Sequence, residues 1–163
     1  MIEQKTYHDT VLEAAKEVFE TMIFMEIEPA ELDPNAECDD MLMGSITFRG
    51  SLDGCLVVSL CRPCAEVVAR NMLAMEPDSP ISNEEVCDAV GEVANMVMGS
   101  IKSRILDTFP EIEVSIPSVI TGRELTGPMI EGAEKTHVPV CIDVDYMAEF
   151  TFLHRINASG RKS

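Results

Sequence analysis

The sequence has no tryptophan, few aromatic residues and few basic residues. Its 12 Lys and Arg stand against 29 Asp and Glu, which gives a formal net charge of −17. Because nucleic acids and anionic membranes are bound through basic patches, this charge argues against both as partners. No apolar run is long enough to span a bilayer, and no basic segment leads into an apolar run at the start. We therefore expect a cytoplasmic protein.

The common signatures of nucleotide and metal chemistry are also missing. The sequence contains no P-loop, no GxGxxG segment that opens a helix after a strand, and no HExxH. His8, His137 and His154 are scattered, without the spacing of metal ligands or of a catalytic triad. We expect no metal and no cofactor in this chain, and the residues do not form a complete active site of their own.

Six cysteines are present, but a chain of this length with so many apolar residues can form a hydrophobic core and does not need a disulfide framework. The segment Cys61-Arg62-Pro63-Cys64 follows a predicted strand and opens a predicted helix, which is where a reactive thiol would lie. The antiparallel hairpin before it is unlike a thioredoxin unit, and zinc would need two further ligands. We predict that Cys61 and Cys64 are structural, with a thiol-based sensor as an alternative.

The pattern of the chain predicts one α+β domain over 1–156 and a flexible polar tail over 157–163. Apolar periodicity predicts helices over 7–26, 65–75 and 82–106. Strands are predicted over 41–48, 52–60, 111–120, 138–144 and 149–154, with a long loop or wide hairpin connection over 121–137. This order favours an antiparallel sheet packed against long helices.

The helix over 82–106 has the clearest signals. Ser82 and Glu85 form a capping-box pattern, and Pro110 prevents continuation. One apolar stripe is predicted to face the core: Val86, Ala89, Val90, Val93, Ala94, Val97, Ile101 and Ile105. The opposite, exposed line is Glu85, Asp88, Glu92, Asn95, Gly99 and Lys102. Gly91 and Gly99 flank the central pair. A glycine inside a helix costs about 1 kcal/mol of stability relative to Ala, so two of them indicate that something approaches this helix closely.

Glu92 and Asn95 are the strongest candidates for chemistry, although a solvated helix face is the alternative. A carboxamide donates and accepts hydrogen bonds at once, so it can orient a water molecule. A short internal repeat accompanies the pair, since EVFETM over 17–22 aligns with EVANMV over 92–97. In the first copy Glu20 replaces the asparagine. The repeat suggests a pseudo-twofold architecture.

The segment DAVGEVANMVMGSIKSRI resembles the signature helix (D/S)xxxExxN of the CheC/CheX/FliY chemotaxis phosphatases, and CheX above all. The resemblance extends to GSITFRGSLDGCLVVSL, NMLAMEP and IPSVITG in the same order. It implies a phosphatase acting on a phosphorylated CheY-like response regulator, in chemotaxis or other two-component signalling. Glu92 would pair with a lysine of the receiver, and Asn95 would orient the attacking water. Glu85, Asp88, Gly91, Gly99 and Lys102 would contact the partner.

The resemblance further implies that Mg²⁺ and the acyl phosphate belong to the partner receiver, that the first helix is inactive because of Glu20, and that the protein is a homodimer. A non-catalytic module that binds a receiver or a flagellar switch component is a second alternative. A docking surface has no need of a Glu92–Asn95 pair, which favours the enzyme.

Overall fold

The computed structural model describes residues 4–31, 38–123 and 125–156. In this part of the chain three α-helices share one hydrophobic core with a seven-stranded antiparallel sheet, so the predicted α+β class is confirmed. The helices are α1 (Gln4–Val18), α2 (Arg62–Met72) and α3 (Asn83–Arg104), and a short π-helix (Phe19–Ile23) continues α1. The strands are β1 (Ile27–Pro29), β2 (Met41–Gly50), β3 (Leu52–Cys61), β4 (Ile112–Val114), β5 (Ser118–Gly122), β6 (Glu134–Ile142) and β7 (Tyr146–Ile156).

The strand order across the sheet is β1-β6-β7-β3-β2-β4, and β5 also pairs with β2. The hairpin predicted around the RGSLDG turn is confirmed, since β2 and β3 pair from Met41 with Cys61 to Phe48 with Gly54. At the far side of β2, β4 pairs with its end and β5 with its beginning. Helix α3 lies over this half of the sheet and contacts β2, β3 and β5.

The apolar stripe predicted for α3 is buried along its whole length, with every member at most 6% exposed. Such a stripe drives the helix onto the sheet because apolar burial contributes about 25 cal/mol per Å². Gly44 of β2 allows a very close approach. A methyl group at that position would lie 3.0 Å from Val90 Cγ1 and 3.2 Å from the Val90 carbonyl oxygen. The glycine therefore sets the distance between α3 and the sheet.

Helices α1 and α3 are also joined by polar contacts at their exposed side. Arg104 of α3 donates to Glu13 Oε2 at 3.2 Å and to Glu17 Oε2 at 3.0 Å. Ser100 Oγ donates to Glu17 Oε1 at 3.0 Å. These bonds fix the position of α3 beside α1.

A second, smaller cluster lies apart from the main core. Met43, Cys55, Val57 and Leu153 are buried there, and Leu125, Ile130 and other apolar residues pack against it. The predicted connection over 121–137 therefore has a structural role, because it covers apolar residues of the sheet. It is shorter than predicted, since β5 runs to Gly122 and β6 begins at Glu134.

Several boundaries differ from the sequence prediction. The helix predicted over 7–26 changes to π geometry at Phe19, and the strand predicted over 111–120 is divided into β4 and β5. The short strand β1 was not predicted. The predicted tail over 157–163 lies outside the described residues. Among the described helices, none is long and apolar enough to cross a membrane.

Candidate functional site

The N-terminus of α3 is closed by the predicted capping box. Ser82 Oγ accepts a hydrogen bond from the Glu85 N–H at 3.1 Å, and the Ser82 N–H donates to Glu85 Oε1 at 3.1 Å. Two backbone donors that a helix start leaves unpaired are satisfied in this way. The Glu85 carboxylate already bonds within the chain, so its predicted contact with a partner would have to coexist with the cap.

Glu92 and Asn95 lie one turn apart in the middle of α3, and both are exposed. Residues three apart on a helix project from neighbouring points of one face. Within the described part of the chain, neither side chain has a hydrogen-bond partner or an ion pair. The stripe on the opposite side of the helix is packed into the core, so the backbone that carries the pair is held firmly. The pair is therefore free to act on a second molecule.

The other residues of the predicted line lie at least partly at the surface. Asp88 and Gly99 are exposed and Lys102 is half-buried, as a single outward face requires. No atom outside the helix lies within 4 Å of the place where a side chain at Gly99 would begin, so this part of the face is open.

Gly91, which the resemblance implies to be a partner contact, does not lie on the exposed face of the helix. Gly91 is buried, and a methyl group there would lie 3.4 Å from Val119 Cγ2 and 3.6 Å from Pro117 Cγ. The segment that leads into β5 crosses the helix at this point. The close approach that Gly91 permits is therefore made by the chain itself.

The first copy of the repeat differs from the second in chemistry and in contacts. Glu17, which aligns with Glu92, bonds to Ser100 and Arg104 of α3. Glu20, which aligns with Asn95, lies in the π-helix and carries a carboxylate in place of the carboxamide. Arg104 was not predictable from the sequence as the partner of Glu17, because a basic residue in the last turn of a helix is common for reasons of the helix dipole alone.

The cysteine motif has a different arrangement from the one considered in the sequence. Cys61 is the N-cap of α2, and its sulfur is bonded to Cys38, with the two Cα atoms 5.9 Å apart. This disulfide was not predicted. Cys64 is 1% exposed, and burial, with a smaller contribution from the charge of Asp143, raises the pKa of its thiol to about 12. Cys61 and Cys64 therefore do not form an exposed dithiol, which removes the basis for a sensor built on that pair.

No three His, Cys, Asp or Glu side chains in the described ranges are grouped so that they could hold a metal ion. The site on α3 consists of one carboxylate and one carboxamide, with further charged residues along the same face. Such a pair can form hydrogen bonds and an ion pair and can orient water, and its carboxamide is not a nucleophile.

Several solved structures with the same architecture are chemotaxis proteins. A chemotaxis protein CheX from Desulfovibrio desulfuricans is 22% identical, with a TM-score of 0.75 over 90% of this chain and 97% of that chain. A CheC-like superfamily protein from Shewanella sp. PV-4 is 26% identical, with a TM-score of 0.73 over 90% and 96%. CheX of Borrelia burgdorferi, solved in complex with CheY, BeF₃ and Mg²⁺, is 20% identical, with a TM-score of 0.71 over 95% and 99%. The fold is that of CheX- and CheC-like proteins.

The sequence model of one family, described as chemotaxis phosphatase CheX, matches residues 42–141. This range covers more than half of the chain and contains all of α3. The chain belongs to the CheX family of chemotaxis phosphatases. No curated protein matches it.

Proposed function

We propose that this protein accelerates the hydrolysis of the aspartyl phosphate on a CheY-like receiver, and that Glu92 and Asn95 are the residues that act. The observation that carries the proposal is the pair itself, which is exposed and unbonded within the described residues on a helix whose opposite face is fully packed. A carboxamide without a local partner is available to a second molecule. We place this reaction in the cytoplasm.

Asn95 would act by positioning the water molecule that attacks the phosphoryl group. Its carboxamide oxygen can accept a hydrogen bond from a water molecule while its NH₂ group donates to a second acceptor. With the water in line with the phosphorus, the new bond forms between the water oxygen and phosphorus. The bond from phosphorus to the aspartate oxygen breaks, and aspartate and inorganic phosphate are released. Correct orientation is a large part of catalysis in phosphoryl transfer, so one side chain can suffice.

Glu92 would fix the position of the helix on its partner. The family resemblance implies an ion pair with a lysine of the receiver, and an exposed carboxylate one turn before Asn95 is suited to that contact. Asp88 and the open surface at Gly99 extend the same face on either side. A basic side chain of the partner also fits the net charge of −17.

Mg²⁺ would belong to the receiver. In the Borrelia burgdorferi complex, CheX was solved together with CheY, BeF₃ and Mg²⁺. We propose the same division here, in which this chain brings the carboxamide and the carboxylate. The first copy of the repeat would contribute no second active site, since Glu17 is bonded to Arg104 and Glu20 is not a carboxamide.

We also propose that the protein is a homodimer. Strand β5 pairs with β2 on one side, and no described strand covers its other edge. Ile116, just before β5, is 87% exposed and Ile120 is 50% exposed. An open edge with exposed apolar residues is a common site of association. Light scattering should give twice the monomer mass of 17.9 kDa, and a constant monomer mass would refute the dimer.

The function is tested with phosphorylated receivers from the same organism, one at a time, with and without this protein. At least one receiver should lose phosphate faster in its presence. Glu92→Ala should weaken both receiver binding and rate, because the ion pair contributes to docking. Glu84→Ala, an exposed glutamate in the first turn of the same helix, is the matched control and should behave as the parent. Binding without any acceleration would instead indicate a non-catalytic docking module.

A further inference from the structure

An exposed apolar surface lies at the end of the π-helix, where it meets the β6–β7 turn. Phe24 is 74% exposed and Val144 is 89% exposed, while Met22 is 56% exposed. The two segments are adjacent, because the Glu26 N–H donates to Asp143 Oδ1 at 2.7 Å and the Asp143 N–H donates to the Glu26 carbonyl at 2.8 Å. We refer to Met22, Phe24 and Val144 as the apolar tip.

The backbone beneath the apolar tip is held in an unusual conformation. Phe24 has φ 61°, and Val144 has φ 68°, a region in which bulky and β-branched residues are rare. At Phe24 this conformation is fixed by its own N–H and by that of Met25, which both donate to the Phe19 carbonyl. The Asn71 side chain also donates to the Ile23 carbonyl at 3.1 Å. The chain thus holds apolar side chains in solvent at positions where Gly or Asn would fit with less strain.

The surroundings of the apolar tip are acidic. A cavity of about 460 Å³ opens beside Phe24 and Met25, and its other lining residues are Glu20, Glu26, Glu28 and Asp143. No lining residue carries a positive charge. Since apolar side chains at the centre and charges at the rim are the usual arrangement of a protein interface, the sign of the rim indicates the sign of the partner.

We propose that the apolar tip and its acidic rim form a docking surface for a basic protein segment, in which an apolar anchor is flanked by Lys or Arg. The anchor would lie against Phe24 and Val144, and the basic side chains would face the carboxylates of the cavity. A second copy of this chain that used the same surface would be a poor occupant, because its own acidic rim would face the carboxylates of this cavity. The surface does not include Glu92 or Asn95, and the proposal does not depend on the phosphatase function.

The test uses the full-length protein and a short synthetic peptide in which two leucines are flanked by lysines. Two control peptides replace the lysines with glutamine or the leucines with serine. Two-dimensional NMR should show shifts confined to the amides of 20–28 and 143–145, and both control peptides should bind about tenfold more weakly. Shifts spread over the whole acidic surface, or equal binding of the serine peptide, would overturn the proposal.

Matched variants separate the surface from the general charge of the protein. Phe24→Ser should weaken binding of the leucine–lysine peptide about tenfold, whereas Met129→Ser, a change at a residue that is 95% exposed elsewhere, should leave it unchanged. The double change E26Q/E28Q should weaken binding, and the equally neutralising E76Q/E84Q should do so far less. Receiver dephosphorylation should be unaffected by Phe24→Ser. A loss of that activity in a folded variant would assign the surface to the phosphatase reaction and overturn a separate docking role.

Discussion

Replacing Gly99 with alanine should make the protein more stable. Gly99 lies inside α3, five residues before its last residue, Arg104, and it is exposed. The new methyl group would meet no atom within 4 Å outside the helix, so it causes no overlap. The change should therefore give the full difference in helix propensity between the two residues, about 0.8–1.0 kcal/mol. For a domain of this size that corresponds to a rise in Tm of roughly 2–4 °C.

Urea unfolding followed by circular dichroism measures this change directly. The midpoint should move to higher urea while the slope m stays constant, which shows that the gain is in stability and not in a different unfolded state. Gly91→Ala is the control on the same helix. Its methyl group would lie in van der Waals contact, 3.4 Å from Val119 Cγ2, so its effect combines helix propensity with packing against the β5 segment. A lower midpoint for Gly99→Ala would refute the open space that the structure shows.

The Gly99→Ala variant also tests whether the glycine is needed for the approach of a receiver, apart from its effect on stability. If a receiver approaches the helix at this point, the stabilised Gly99→Ala protein should dephosphorylate the receiver less efficiently, chiefly through weaker binding. Higher stability with unchanged dephosphorylation would show that the glycine is not needed for the approach of the partner.

Three further predictions concern packing, cysteines and pH. Gly44→Ala should lower the free energy of unfolding by about 1–3 kcal/mol, because the methyl group would overlap Val90; an unchanged urea midpoint would contradict this. Thiol counting in denaturant without reductant should find four free thiols, since Cys38 is bonded to Cys61, and six would exclude the bond. Burial lowers the pKa of His154 in the folded protein, so the unfolded chain binds its proton first as the pH falls below about 6.5. The parent should therefore lose more stability than His154→Gln between neutral pH and the lowered folded pKa, and parallel pH profiles would refute this.

The features that the sequence predicts well are local. The capping box at Ser82 requires only residues three apart, and the buried stripe of α3 follows from helical periodicity. Likewise, the β2–β3 hairpin is determined by its two apolar runs and the glycine-containing turn between them.

The features that the sequence does not predict depend on how distant segments cross. Gly91 lies on a helix face that periodicity alone leaves open, but Pro117 and Val119 cover it. The split between β4 and β5 arises because both pair with β2, while Ser115 between them bonds to Thr47. The bond between Cys38 and Cys61 joins residues 23 apart, and a cysteine count gives no information on that pairing.

The position of Glu92 and Asn95 depends both on the local helical pattern and on the packing of distant segments. The sequence predicts that they share a face, and the residues around them determine that the face stays open. Their exposure agrees with the prediction.

The central claim is that Asn95 orients the water that attacks the phosphoryl group of a receiver. The most direct test compares Asn95→Ala with Asn83→Ala, a change at the exposed first residue of the same helix, in dephosphorylation of a receiver that the parent accelerates. Asn95→Ala should fold with equal or slightly higher stability, bind the receiver with little change, and lose the acceleration, because the lost interaction is made in the transition state. Asn83→Ala should retain the acceleration. An Asn95→Ala protein as fast as the parent would contradict the account.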